Sequence, residues 1–249
     1  MINLFIAGPL YKEPALSPSG LSIPLDYLNR VKALRITSIV ALLFFGMWSV
    51  CAQQTAQSPS PMADNTRPHP RAVQTEVPGH RIDLTAVKGA RLFAGPKVDA
   101  NKAVPLIVHF HGVSWLVESH IAKQIPRAVL ITVNLGSGSS AYGRPFEDAD
   151  LFQKMIDEAA NALSLKHGWS SITLSGFSAG YGAVRAILRQ EKNFAIVKNV
   201  LLLDGMHGSY LPEGKLLADG GSVNAADLDS FIRFAREAVA GRKTFVFSG

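Results

Sequence analysis

The chain has 249 residues, of which 47% are hydrophobic and 18% charged, and its formal net charge is +6. That length suits one domain plus a targeting segment, and that composition excludes a disordered chain. The positive charge is spread thinly, with no run of Lys or Arg, which argues against a nucleic-acid footprint.

In chain order, residues 36–52 (ITSIVALLFFGMWSVCA) form one apolar run preceded by Lys32 and Arg35. The run closes on Val50-Cys51-Ala52, with small residues where a signal peptidase needs them. It is short for a spanning helix. The expectation is a secretory signal peptide cleaved after Ala52. The protein is then exported, periplasmic or secreted, without stable membrane association. Cys51 is the only cysteine, so the mature chain would hold no disulfide and no cysteine metal site. Residues 1–30 sit awkwardly before such a signal, and a true start at Val31 is expected. Residues 53–79, rich in Pro, Gln, Ser and Thr, read as a flexible linker. The ordered domain is residues 80–249.

Within it, apolar runs fall at 81–87 and 90–93, and a buried strand is predicted at 104–110 (VPLIVHF). Another follows at 128–133. The segment 136–145 (GSGSSAYGRP) reads as a solvent-exposed linker. A helix is predicted over 148–165, where Leu151, Phe152, Met155, Ile156, Ala159 and Leu163 recur at helical spacing. A strand at 171–174 precedes Gly176-Phe177-Ser178-Ala179-Gly180, and a helix runs on to about Arg189. The strand 197–203 ends at Asp204, a helix covers 225–240, and the chain closes on a strand at 243–248. Buried strands alternating with helices imply an α/β fold with a doubly wound, mostly parallel sheet. Ligands in such sheets bind beyond the carboxyl ends of the strands.

Three motifs lie at those ends. A Gly-x-Ser-x-Gly turn between strand and helix holds the serine hydroxyl above the sheet, so Ser178 is the candidate nucleophile. Its alternative is a glycine-rich turn that only packs helix on sheet. His109-Phe110-His111-Gly112-Val113 closes an earlier strand. There Gly112 would permit a close approach, and the N–H groups of Val113 and Ala179 would bind an oxyanion. A His109/His111 metal pair is the competing reading, but no downstream ligand set completes it. Asp204 could orient a histidine, or simply cap a turn. The general base is open. His207 alone among the seven histidines follows Ser178, and the other reading puts the base past residue 249. Trp115, Tyr142, Tyr181 and Tyr210 could line a pocket or merely pack.

Together, strand-His-x-His-Gly, strand-Gly-Phe-Ser-Ala-Gly-helix and strand-Asp-Gly-x-His resemble the α/β-hydrolase superfamily, over residues 80–249. Within it the chain is similar to small secreted bacterial esterases and depolymerase-like enzymes, with no motif that fixes the subfamily. The resemblance implies hydrolysis of a small-molecule ester through an acyl-enzyme, with no cofactor and no metal. It also implies a further strand and helix after KTFVFS, carrying the catalytic His. Two rivals stand beside it. One is a non-catalytic exported module of the same fold. The other is a short-chain dehydrogenase, suggested by Ser175-Gly176 with Gly180 and Gly182, but no Tyr has a Lys four residues on.

Overall fold

The computed structural model describes residues 73–248. The expected extension, signal peptide and most of the linker lie outside the described residues. Among the described residues, no helix is long and apolar enough to cross a membrane.

Seven strands make one sheet: β1 (His80–Asp83), β2 (Ala90–Ala94), β3 (Val104–Phe110), β4 (Val129–Val133), β5 (Trp169–Phe177), β6 (Val197–Leu203) and β9 (Thr244–Ser248). Their spatial order is β1-β2-β4-β3-β5-β6-β9. β2 runs antiparallel to both β1 and β4, and every later pairing is parallel. A two-stranded ribbon, β7 (Tyr210–Leu211) and β8 (Ser222–Val223), lies in the excursion that follows β6.

The helices are α1 (Ser114–Gln124), α2 (Ser139–Gly143), α3 (Leu151–Ala162), α4 (Tyr181–Arg189), α5 (Glu191–Ile196) and α6 (Asp229–Val239). Successive residues of a strand face opposite ways, and the core divides accordingly. Leu106, Val108, Val129 and Ile131 join the larger cluster with Phe152, Val184, Ile187, Phe194 and Phe234. Phe93, Ile107 and Leu130 join the smaller one with Ile121 of α1. All five residues of β4 are buried, as expected of a strand covered on both faces. β6 instead alternates, with Val197, Val200 and Leu202 buried and Asn199, Leu201 and Leu203 half-buried. Helical cover is therefore thick on one face and thinner on the other.

Several sequence expectations need correction. The run 81–87 is a strand only to Asp83. The chain then turns, with the Leu84 N–H donating to the Ala90 carbonyl. β5 is longer than the predicted 171–174, because pairing with β3 and β6 extends it on both sides. The predicted helices at 148–165 and 225–240 shorten to α3 and α6, the latter preceded by a 3-10 turn at Ala225–Asp227. Helices α1 and α5 were not expected. The segment 136–145 is not a solvent-exposed linker. It holds α2, with Tyr142 buried, and Phe146 is buried just after it. The cause is close packing on α4: a Cβ on Gly182 would lie 2.1 Å from the Ser139 carbonyl oxygen.

Candidate active site

The carboxyl ends of β3, β5 and β6 bring the candidate residues to one rim. Ser178 follows β5 directly, opens a 3-10 turn (Ser178–Gly180) and leads into α4. Its φ is +43°. A non-glycine residue held left-handed costs roughly 1–2 kcal/mol, and such strain persists only where the surroundings enforce it. Here they do. A Cβ at Gly176 would come within 3.0 Å of the Gly180 carbonyl carbon, and one at Gly180 within 2.1 Å of the Phe110 carbonyl oxygen. The glycines on either side of Ser178 thus let α4 pack directly against β5 and β3. The bend between them leaves Ser178 half-buried at the rim.

β3 ends at Phe110, and the chain then turns through His111 (φ +68°) and Gly112 (φ +136°). Val113, extended, is the N-cap of α1. The Gly112 N–H donates to Asn134 Oδ1 at 3.1 Å, and Asn134 Nδ2 donates to Ser114 Oγ at 3.2 Å. With the Gly112 N–H so engaged, Gly112 supplies the bend and not a donor. Val113 and Ala179, both buried, stand at the starts of α1 and of the 3-10 turn. Helix starts carry unsatisfied N–H groups and partial positive charge. Sequence reasoning missed Asn134, since nothing local marks a residue that acts 22 positions away.

Asp204 follows β6 with φ +49°, is exposed, and donates its N–H to the Ser248 carbonyl at 2.9 Å. A Cβ on the next residue, Gly205, would lie 3.4 Å from the Ser178 carbonyl oxygen. The Asp204 turn therefore abuts the serine bend. His207 packs edge-on against Tyr181, with ring centroids 5.4 Å apart. Among the described residues, no hydrogen bond joins Ser178, Asp204 and His207. The excursion after β6 is anchored by Asp227, which accepts from the Ser209 N–H and O–H at 2.9 and 2.7 Å and pairs with Arg185 and Arg189. Burial raises the pKa of the Asp227 carboxyl, but the Ser209 donors and the two arginines outweigh it and hold it below the usual carboxylate range.

A cavity of about 240 Å³, walled mostly by carbon, opens beside the bend between His109, His111, Val113, Leu116, Phe177 and Leu203. A polar cleft of about 560 Å³ shares Val113 and reaches Arg81 and Glu118, whose buried carboxylate is paired with Arg81 at 2.8 Å. Trp115 lines that cleft, Tyr142 is buried, Tyr181 is nearly so, and Tyr210 lies in β7.

The two histidines of the β3 end do not share a strand face, because His111 lies past the strand. His109 Nδ1 sits 2.9 Å from Ser175 Oγ, and His111 Nδ1 sits 2.8 Å from Tyr142 Oη. Among the described residues, no three His, Cys, Asp or Glu side chains gather as a metal site would need. Burial lowers the pKa of His109 to about 4. The unfolded chain therefore binds a proton between about pH 6.5 and 4 that the folded chain refuses. Stability should be unaffected above pH 6.5 and should fall as pH drops through that window, by about 3 kcal/mol in all. Urea titrations at pH 7 and pH 4.5 check this, and His109→Asn should flatten the slope. An equal slope in that variant would assign the loss to other groups.

No family model matches the sequence, and no curated protein matches it. Solved structures do. DphMB1 is 20% identical, with a TM-score of 0.37 over 53% of this chain and 47% of its own. An esterase from Pyrobaculum calidifontis is 19% identical, with a TM-score of 0.35 over 50% of this chain and 44% of its own. Brefeldin A esterase, described as a bacterial homologue of human hormone-sensitive lipase, is 16% identical, with a TM-score of 0.34 over 56% of this chain and 42% of its own. The chain spans less than half the length of each. With its antiparallel first strands, its parallel remainder in the order β4-β3-β5-β6-β9 and a strained serine bend between β5 and α4, the chain has the α/β-hydrolase fold.

Proposed function

We propose that this chain belongs to a serine hydrolase that cleaves a small-molecule ester through an acyl-enzyme on Ser178. The observation that carries this reading is the left-handed backbone of Ser178, held by glycines that tolerate no Cβ. Strain at a half-buried hydroxyl on a strand-to-helix bend is what a nucleophile requires, and simple packing does not need it. Ser178 Oγ attacks the ester carbonyl as a histidine takes its proton. The carbonyl oxygen becomes an oxyanion, which the N–H groups of Val113 and Ala179 hold. The alcohol leaves with the proton, and water then releases the acid by the same steps. Asp204 orients the histidine. His207 is the one histidine of this sequence that follows Ser178, and to serve it must swing its ring away from Tyr181. The carbon-walled cavity beside Phe177 suits an apolar part of the ester.

A second reading is favoured by one observation, the missing hydrogen bonds among Ser178, Asp204 and His207. In that reading the chain is a non-catalytic module of the same fold. A fluorophosphonate probe separates the two. The hydrolase reading expects one adduct, located by mass spectrometry on Ser178, and labelling at least tenfold slower in Asp204→Asn. An inert Ser178 favours the module, or a general base that lies past residue 249. Labelling that is unchanged in His207→Ala moves the general base elsewhere. We propose export as well, from the apolar run at 36–52, and N-terminal sequencing of the expressed protein should begin at Gln53.

A further inference from the structure

The oxyanion loop is tied to α2 by a buried polar group that the proposed chemistry does not consume. Tyr142 is wholly buried, and its oxygen receives the Leu135 N–H at 3.2 Å. A buried hydroxyl that already accepts an N–H still needs an acceptor for its own proton. The acceptor in reach is His111 Nδ1, 2.8 Å away. Phe177, the residue before Ser178, stacks parallel to the His111 ring with centroids 6.0 Å apart. The ring is thus held by the Tyr142 hydroxyl at its edge and by Phe177 on one face. Its backbone is the left-handed turn (φ +68°) that ends β3 and sends Gly112 and Val113 toward the serine bend.

Resting on the serine-hydrolase reading, we propose that Tyr142 is a positioning residue for the oxyanion loop. Its hydroxyl donates to His111 Nδ1 and fixes the ring as the Nε2–H tautomer. That pins the left-handed turn from which the Val113 N–H is presented. Burial of the imidazole favours its neutral form, in which one ring nitrogen can accept. Tyr142 touches no reacting atom. It acts through His111, and its effect should appear in the rate of oxyanion formation and not in ground-state binding.

The test uses the full chain labelled with 15N. Imidazole nitrogen shifts of the wild type at pH 7 should show His111 with a bare Nδ1 and a protonated Nε2. Tyr142→Phe should give a mixture of tautomers and phosphonylate Ser178 about tenfold more slowly at saturating probe, with the half-saturating probe concentration within about twofold. A protonated Nδ1 in the wild type overturns the proposal without any variant. So does a Tyr142→Phe protein that labels at the wild-type rate. If the wild type itself fails to label, the reading of residues 1–249 as a self-sufficient serine hydrolase falls instead, and the tautomer measurement still decides whether Tyr142 holds His111.

Discussion

Replacing Gly180 with alanine is expected to cost at least about 3 kcal/mol, and at 37 °C the variant should be largely unfolded or aggregated. The reason is contact and not conformation. Gly180 has φ −60°, which any residue adopts. Its added methyl, however, would lie 2.1 Å from the Phe110 carbonyl oxygen and 2.7 Å from its carbon. Both atoms belong to the backbone of β3, buried and paired on both sides. No side chain can swing away, so α4 must lift off the sheet, with Ala183, Val184 and Ile187 at its interface. Gly214→Ala supplies the contrast. Gly214 has φ +77° but nothing within 4 Å of an added Cβ, so only the left-handed cost of about 1 kcal/mol should appear. Urea unfolding at constant m reads both variants. Equal midpoints would refute the close approach of α4 and β3.

Ser178→Gly is expected to abolish the proposed ester hydrolysis, by a factor on the order of 10³ or more, while leaving the fold at least as stable as the wild type. Glycine relieves the left-handed strain at φ +43°, roughly 1–2 kcal/mol. It gives back part of this through the greater entropy of the unfolded chain. The net gain should be about 0.5–1 kcal/mol. Ser178→Ala loses the hydroxyl but keeps the Cβ, so it should be equally inactive without that gain. The difference between the two variants isolates the backbone strain. Thermal melts monitored by circular dichroism measure it. If Ser178→Gly is clearly the less stable of the pair, the bend is not strained as described.

Much of the fold could be read from the chain because β3, β4 and β6 are short, apolar and bounded by turns, because α3 buries one face, and because α4 is buried except at Arg185 and Arg189. The helix α1 escaped notice for a physical reason. Its buried residues are Glu118, Ser119 and Ile121, while Leu116 is exposed, so the usual apolar stripe is absent. The Glu118 burial makes sense only once Arg81 is placed beside it, and that pairing spans 37 positions. The segment α2 looked like a linker because its small residues permit close packing and also occur in flexible loops. At the site, Gly176, Ser178 and Gly180 were legible since one local bend demands all three. Asn134 and the Tyr142–His111 pair were not, because each joins segments more than twenty residues apart.

The last strand carries a consequence of its own. Among the described residues β9 has a hydrogen-bonded neighbour only on its β6 side, and Val246 and Phe247 are each about half exposed. Its outer row of amide and carbonyl groups, flanked by apolar side chains, is a template for strand addition by another molecule. Among the described residues, that margin is therefore one along which copies would associate in concentrated solution. A lysine in place of Val246 would be the simplest way to keep it dispersed.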